Sequence, residues 1–310
     1  MKIAFVFPGQ GSQSVGMMAA WGGNDAVRST LQAGDQALGE DLSGLMERGP
    51  ADALNLTANT QPAMLLASVA AYHAWLQAGG RPPDLVAGHS LGEYSALVAA
   101  GSLDLADALR LVRVRANAMQ SAVPVGEGGM AAILGLADEV VAQVCHEAAD
   151  GEVVEPVNFN APEQVVIAGH AAAVQRACER ARAAGARRAL PLPVSAPFHS
   201  SLLEPAAAVL RNALAELPLH APGMPLVNNV DVASPQDPQA IRDALVRQAW
   251  HPVRWVEVIQ ALRQRGVGHV VECGPGKVLV GLIKRIDRDM QTYNINDPAS
   301  LRQTLDALGG

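Results

Sequence analysis

Residues 85–92 read LVAGHSLG and indicate the fold class of the chain. Three apolar residues predict a short buried strand, and the small residues that follow predict a helix at 93–100. Between them residues 88–92, GHSLG, match G-x-S-x-G, a pattern that places a serine on a sharp turn from strand to helix. Such a strand–turn–helix unit is typical of an α/β domain with a parallel sheet.

Segments on both sides of this motif fit the same class. Residues 3–7 are continuously apolar, as expected for an inner strand of a parallel sheet, and residues 61–76 predict the helix that joins the two strands. The last third alternates again, with strands predicted at 226–227, 269–272 and 292–295 and helices at 239–248, 253–265 and 277–288. We therefore predict a parallel sheet with helices on both faces.

The middle of the chain follows a different order. It predicts strand–helix–strand–strand–helix–strand, with strands at 130–136, 153–159, 164–168 and 189–194 and helices at 137–149 and 171–184. This βαββαβ order is that of ferredoxin-like domains. We therefore predict a small ferredoxin-like subdomain at 126–195, inserted into a large subdomain of residues 1–125 and 196–310.

The composition excludes several classes of protein. The chain has 310 residues, of which 49% are hydrophobic and 17% charged, and its net charge is −7. So apolar a chain is not disordered, and its negative charge argues against binding to nucleic acid or to an anionic membrane. No apolar run reaches the roughly 18 residues of a membrane span. We therefore predict a cytoplasmic protein.

The sequence indicates neither a metal site nor a nucleotide site. Cys145, Cys178 and Cys273 form no C-x-x-C pair, which argues against a zinc site and a disulfide scaffold. Residues 9–13, GQGSQ, lack the spacing of a dinucleotide-binding loop. Residues 274–277, GPGK, lack the upstream glycine and the Ser/Thr of a P-loop. We predict no metal and no redox cofactor.

Ser90 is the candidate nucleophile. A sharp turn would hold Ser90 in a strained backbone conformation and place its hydroxyl at the N-terminus of the next helix, where free N–H groups can bind an oxyanion. The alternative is a tight turn in which Ser90 only caps the helix.

A serine nucleophile needs a base within hydrogen-bond reach, and the chain has eight histidines. His199 follows residues 195–198, where the chain leaves the predicted insert, and a cleft between subdomains is a preferred ligand site. His199 is therefore the first candidate, and a structural histidine is the alternative. His251 is a weaker second candidate, and His89 is expected to point away from the neighbouring serine.

Arg115 is the third candidate residue. In the helix predicted at 104–122, apolar residues recur at three- and four-residue steps. At about 100° per residue, Arg115 falls within the apolar face, whereas Arg110 and Arg113 fall on the polar face. A buried guanidinium needs an anion, which is either an internal carboxylate or the carboxylate of a substrate.

Taken in order, these motifs resemble one known family. FPGQGSQ at 7–13, GHSLGEY at 88–94, Arg115, PFH at 197–199 and GPGK at 274–277 follow one another as in malonyl-CoA:acyl-carrier-protein transacylases. The resemblance covers essentially the whole chain and fits the stand-alone enzyme of bacterial type II fatty-acid synthesis. It implies an α/β-hydrolase-like core with a ferredoxin-like insert. It also implies ping-pong transfer of malonyl from malonyl-CoA to acyl carrier protein, without a cofactor.

The resemblance implies the catalytic residues as well. Ser90 would carry the acyl group, and His199 would be its base. The backbone carbonyl of Gln248 would orient His199, in place of the carboxylate of hydrolase triads. The backbone N–H groups of Gln10 and Leu91 would form the oxyanion hole.

Substrate contacts are implied in the same way. Arg115 would bind the free malonyl carboxylate, and the ring of Phe198 would crowd a branched α-carbon. The carrier protein of this pathway is acidic, so docking would need basic residues. Candidates on the late helix and in the insert are Arg187, Arg188, Lys277, Lys284, Arg285 and Arg288. The alternative for these residues is an ordinary solvated surface.

Three other functions stay open. A serine esterase or thioesterase would use the same Ser/His pair, with an acid between them in the chain. Asp138, Asp150 and Glu155 are the candidates for that acid, and all lie in the predicted insert. A trans-acting acyltransferase of polyketide synthesis is the second. A non-catalytic binding module is the third, but a strained serine argues against it.

Overall fold

The computed structural model of the chain describes residues 2–194 and 196–309. Within these ranges the strands are β1 (Lys2–Phe7), β2 (Leu85–Gly88), β3 (Gly128–Leu134), β4 (Val154–Ala161), β5 (Gln164–His170), β6 (Arg188–Pro191), β7 (Leu226–Val227), β8 (Val267–Cys273) and β9 (Gln291–Ile295). The α-helices are α1 (Asp25–Leu38), α2 (Leu42–Arg48), α3 (Ala51–Leu54), α4 (Thr57–Gln77), α5 (Gly92–Ala99), α6 (Leu105–Ser121), α7 (Asp138–Ala148), α8 (Ala171–Ala183), α9 (Glu204–Ala215), α10 (Pro238–Gln248), α11 (Trp255–Gln264), α12 (Val278–Ile286) and α13 (Pro298–Leu308). None of the helices in these ranges combines the length and the apolar character that a membrane crossing requires.

A parallel sheet of five strands organises the larger part of the molecule. Its order is β7-β2-β1-β8-β9, and every neighbouring pair is parallel. Phe5 and Phe7 pack against α4, where the rings of Phe5 and Trp75 have centroids 5.3 Å apart. Ala4 and Val6, on the opposite face of β1, pack in a second core with α11 and α12. Helices thus cover both faces, which explains why β1 is apolar throughout.

A separate antiparallel sheet of four strands forms the middle of the chain, in the order β4-β5-β3-β6. One face packs against α7 and α8 through a core that includes Ile133, Ile167 and Ala177. The opposite face carries Met130 and Val166, which line a cleft together with residues that follow β1 and β2. The predicted mixed α/β architecture, with one parallel and one separate antiparallel sheet, is confirmed.

Strand β4 connects the antiparallel sheet to the rest of the molecule. The N–H of Phe159 donates to the carbonyl of Val253 at 3.0 Å, and the N–H of Val253 donates to the carbonyl of Val157 at 2.9 Å. The imidazole Nε2 of His89 lies 2.7 Å from the side-chain oxygen of Asn160. These contacts fix the antiparallel sheet against the turn that follows β2.

Two element boundaries differ from the sequence prediction for identifiable reasons. The strand predicted at 189–194 ends at Pro191 in β6, because the prolines at 191 and 193 have no N–H with which to continue the ladder. The helix predicted from position 253 begins at Trp255, because the backbone of Val253 is already paired with β4.

Candidate active site

The turn between β2 and α5 holds Ser90 in an unusual backbone conformation. Its φ is 52°, in the left-handed region that costs free energy for any residue except glycine. The flanking glycines are required by close packing. A Cβ on Gly88 would lie 1.9 Å from the carbonyl carbon of Gly92, and a Cβ on Gly92 would lie 2.0 Å from the carbonyl oxygen of Phe7. The G-x-S-x-G spacing is therefore a packing requirement of this turn against β1.

Two side-chain amides hold the strained turn in place. The N–H of Ser90 donates to Oδ1 of Asn229 at 2.7 Å, and Nδ2 of Asn229 donates to the carbonyl of Gly88 at 2.7 Å. The Nε2 of Gln248 donates to the carbonyl of Ser90 at 2.9 Å. Because both backbone polar groups of Ser90 are bound, the surrounding structure maintains a conformation that the residue would otherwise leave.

His199 lies against the serine hydroxyl. Its Nε2 is 2.6 Å from Oγ of Ser90, and its Nδ1 is 2.8 Å from the backbone carbonyl oxygen of Gln248. A carbonyl can only accept a hydrogen bond, so Nδ1 carries the proton and Nε2 accepts from the hydroxyl. This is the tautomer that a general base for the serine requires.

Burial lowers the pKa of His199 to about 3. Loss of solvation is the largest cause, and the positive charge of Arg115 lowers the pKa further. The hydrogen bond to the Gln248 carbonyl acts in the opposite direction. The imidazole is therefore neutral at neutral pH.

Arg115 is buried on α6, with 2% of its surface exposed, as its place in the helical pattern predicts. Its Nη1 donates to Oε1 of Gln61 at 2.6 Å, and its Nη2 donates to Oε1 of Gln248 at 3.0 Å and to Oγ of Ser90 at 3.2 Å. Its Nε is buried without a partner in the described part of the chain, and no carboxylate there forms an ion pair with its guanidinium. A buried cation whose hydrogen bonds all go to neutral groups is suited to binding an anion.

Gln10 and Leu91 line the same cleft as Ser90. Gln10 follows β1, and its side-chain oxygen accepts a hydrogen bond from the Thr57 hydroxyl at 2.7 Å. Leu91 follows Ser90 directly and is buried. Within residues 2–194 and 196–309, neither backbone N–H enters a hydrogen bond. The prediction that these two N–H groups form an oxyanion hole stays a prediction.

These residues surround a cavity of about 240 Å³. Its wall is mostly apolar, with Phe198 beside His199, and includes residues of the antiparallel sheet and of the segments that follow β1 and β2. Further lining residues include Met130, Val166, Leu192, Val194, Leu279 and Leu282. Among the described residues, no group of three or more His, Cys, Asp or Glu side chains could hold a metal ion.

The other histidines considered from the sequence are engaged elsewhere. Nδ1 of His251 lies 2.9 Å from the carbonyl of Arg247, and His89 contacts the antiparallel sheet through Asn160. The sequence analysis missed Asn229, Gln61 and Glu93, which complete the polar network. Glu93 offered one signal, since it is a carboxylate within the quoted motif, but the others are ordinary polar residues in the sequence.

Comparison with known proteins identifies the family. Residues 4–297 match the model of the acyl transferase domain family. The malonyl CoA-acyl carrier protein transacylase of Salmonella typhimurium is 55% identical over 305 residues, which cover 98% of this chain and 99% of that protein. The chain belongs to the malonyl CoA-acyl carrier protein transacylase family.

Solved structures resemble this member of the transacylase family over its whole length. The acyl-carrier-protein S-malonyltransferase of Burkholderia pseudomallei is 62% identical with a TM-score of 0.97, covering 99% of this chain and 100% of that one. Another structure, of a type II PKS acyl-carrier protein in complex with its malonyl-transacylase, is 49% identical with a TM-score of 0.98, covering 99% and 100%. The two sheets of this chain are thus arranged as in solved malonyltransferases.

Proposed function

We propose that this transacylase moves a malonyl group from malonyl-CoA to the phosphopantetheine thiol of acyl carrier protein, for fatty-acid synthesis. The supporting observation is that a neutral imidazole and a guanidinium contact one hydroxyl: His199 lies 2.6 Å and Arg115 3.2 Å from Oγ of Ser90. The first is a base for the serine. The second is a cation for an acyl group that is itself an anion.

In the first half-reaction, Ser90 attacks the thioester carbonyl while Nε2 of His199 takes the hydroxyl proton. The oxyanion would accept hydrogen bonds from the N–H groups of Gln10 and Leu91, beside the mostly apolar wall of the cleft. The carbon–sulfur bond then breaks, and His199 returns the proton to the departing CoA thiolate. The product is malonyl-Ser90.

The second half-reaction runs the same steps in reverse order. The phosphopantetheine thiol enters the cleft, His199 takes its proton, and the sulfur attacks the malonyl-serine ester. The proton returns to Ser90 as the malonyl group leaves on the carrier. No step needs a metal or a redox cofactor, because every proton movement passes through one imidazole.

Two side chains would select the acyl group. Arg115 would bind the malonyl carboxylate, and the ring of Phe198, at the cleft beside His199, would restrict branching at the α-carbon. Helix α12 is the candidate docking element for the carrier protein. Its residues Leu279 and Leu282 line the cleft, Lys284 lies in the same helix, and Arg288 follows shortly after its end.

A serine hydrolase is the competing reaction, and a product assay separates the two. The carbonyl that binds His199, instead of a carboxylate, and the apolar wall support transfer over hydrolysis. We expect malonyl-CoA with excess carrier protein to give malonyl-carrier as the main product, with little free malonate. Mass spectrometry of the carrier and quantification of malonate measure both, and predominant malonate would contradict transfer.

A role in polyketide synthesis is a second candidate, because the 49% identical relative is described as bound to a type II PKS carrier. The same assay distinguishes the pathways when a fatty-acid carrier and a polyketide carrier are compared at equal concentrations. We expect the higher kcat/KM with the fatty-acid carrier. A clearly higher kcat/KM with the polyketide carrier would instead assign this chain to polyketide synthesis.

The pKa of His199 predicts the pH dependence of the first half-reaction. A histidine with the ordinary pKa of about 6.5 loses on the order of 20-fold of its basic form between pH 7 and pH 5. Because the pKa of His199 is lowered to about 3, we expect the acylation rate at saturating malonyl-CoA to stay constant over that range. Rapid-quench measurement of acyl-enzyme gives the rate. A 20-fold fall toward pH 5 would contradict the lowered pKa.

We also propose the finer description of the fold. The parallel sheet with Ser90 after an inner strand supports an α/β-hydrolase-like core, and the order β4-β5-β3-β6 supports a ferredoxin-like insert. The predicted subdomains, 1–125 with 196–310 and 126–195, keep each sheet within one unit. Residues 1, 195 and 310 of these ranges lie outside the described residues. The cytoplasmic location stays a prediction.

A further inference from the structure

Glu93 is a buried carboxyl that the mechanism above does not use. It lies in the first turn of α5, three residues after Ser90, and 2% of its surface is exposed. Its Oε2 accepts hydrogen bonds from the backbone N–H of Asn229 at 2.9 Å and from Nε2 of Gln248 at 3.1 Å. Its two partners are therefore the residues whose side chains hold the Ser90 turn.

The amide of Gln248 connects Glu93 to Arg115. Its nitrogen donates to Glu93, and its oxygen accepts from Nη2 of Arg115 at 3.0 Å. The amide of Gln248 thus lies between a carboxylate and a guanidinium. The two charged groups favour the same orientation of the amide, with its nitrogen toward Glu93 and its oxygen toward Arg115. Arg115 has no direct ion pair in the described part of the chain, so Glu93 supplies negative charge to offset it.

A malonyl carboxylate on Arg115 would add a second negative charge to this arrangement. Two carboxylates near one cation in a dry site raise each other's pKa. Burial raises the pKa of Glu93 to about 7, against the lowering effect of its hydrogen bonds and of Arg115. The charge of Asp231, in the loop after β7, also raises the pKa of Glu93, and pairing with Arg247 lowers the pKa of Asp231 itself. Glu93 is therefore the group in this network that changes charge near neutral pH.

We propose that Glu93 is a specificity-determining residue: it takes up a proton as a malonyl carboxylate binds Arg115, and so sets how strongly the site prefers a dicarboxylic acyl group. This inference rests on the malonyl transfer proposed above. Ionised Glu93 offsets the charge of Arg115 and weakens malonyl binding, whereas protonated Glu93 leaves the full charge to the substrate. Malonyl binding therefore weakens as pH rises through 7, and binding of an uncharged acetyl group does not.

Binding to the Ser90→Ala chain, which cannot form the acyl-enzyme, tests this by calorimetry with malonyl-CoA and acetyl-CoA. We expect the affinity for malonyl-CoA relative to acetyl-CoA to fall on the order of fivefold from about pH 6 to pH 8. Titration of the CoA phosphates cancels in this ratio. In Ser90→Ala/Glu93→Gln the ratio should stay at its low-pH value, because glutamine keeps an acceptor oxygen but does not ionise.

Glu272→Gln in the same background is the matched control. Glu272 is also a buried carboxyl with a pKa raised to about 7, but it accepts from the N–H of Val280 in α12. This control should keep the fivefold fall.

A constant ratio in Ser90→Ala, or an equal fall after Glu93→Gln, would overturn the role of Glu93. If the double variant does not fold, the ratio in Ser90→Ala alone decides. A native chain that transfers malonyl while the ratio stays flat refutes only this inference. A native chain that transfers no malonyl refutes the proposed function itself.

Discussion

Replacement of Ser90 with alanine is expected to abolish covalent labelling by radiolabelled malonyl-CoA and to lower the transfer rate on the order of ten-thousand-fold or more. The hydroxyl is the group that the neutral imidazole of His199 contacts at 2.6 Å, and alanine leaves that base without a nucleophile to activate. Acid-quenched protein, separated from free CoA esters, gives the label per chain. Intact mass gives the same quantity independently.

Two further variants make this result specific. Ser121→Ala removes a hydroxyl at the end of α6 that bonds only its own helix, so labelling should be unchanged. His199→Ala should slow labelling strongly without moving it to another residue, because the nucleophile remains. Full labelling of Ser90→Ala, at any other position, would remove Ser90 from its proposed role.

Local sequence patterns predicted most of the fold because the strands and helices are encoded within short windows. The apolar run of β1 and the turn at residues 88–92 are local features with one structural solution, since added Cβ atoms at Gly88 and Gly92 would overlap backbone. Boundaries were less accurate where another segment decides them. Helix α11 begins at Trp255 rather than at 253 because the backbone of Val253 pairs with β4, and that pairing has no local signature.

The active site likewise combines residues that local patterns predict with residues that only the fold brings near. Arg115 could be placed inside the protein from its helical phase alone, and the turn alone indicated Ser90 as the nucleophile. The groups that hold them come from far along the chain: Asn229 lies 139 positions from Ser90, and Gln248 lies 158 positions from it. Both act through amide or backbone groups that occur everywhere in a sequence. Only the fold brings them together.

The burial of Glu93 and its raised pKa could not be predicted from sequence patterns. A glutamate in the first turn of a helix is ordinarily a solvated residue that interacts favourably with the helix dipole. Here it is buried, and its cost of burial is offset by donors from Asn229 and Gln248, which belong to other elements. Its pKa near 7 is therefore a property of the folded site and could not be predicted from position alone.

Arg115→Ala is expected to lower kcat/KM for malonyl-CoA by about a hundredfold to a thousandfold, and that for acetyl-CoA by much less. A malonyl carboxylate in this mostly apolar cleft loses both its charge partner and its hydrogen bonds when the cation is removed, whereas an acetyl group has no such contact to lose. The guanidinium also touches Ser90 and Gln248, so both substrates will share a common loss. The ratio of the two kcat/KM values isolates the carboxylate contact.

The measurement is best made near pH 8, because Arg115 is one of the causes that lower the pKa of His199. Its removal raises that pKa toward the ordinary value, and at pH 8 a histidine with an ordinary pKa of about 6.5 is still mostly neutral. Arg115→Lys is the matched variant. It keeps the charge but not the planar pair of donors, so malonyl activity should be intermediate. Equal losses for malonyl-CoA and acetyl-CoA in Arg115→Ala would show that the guanidinium only supports the turn through Gln248 and Ser90.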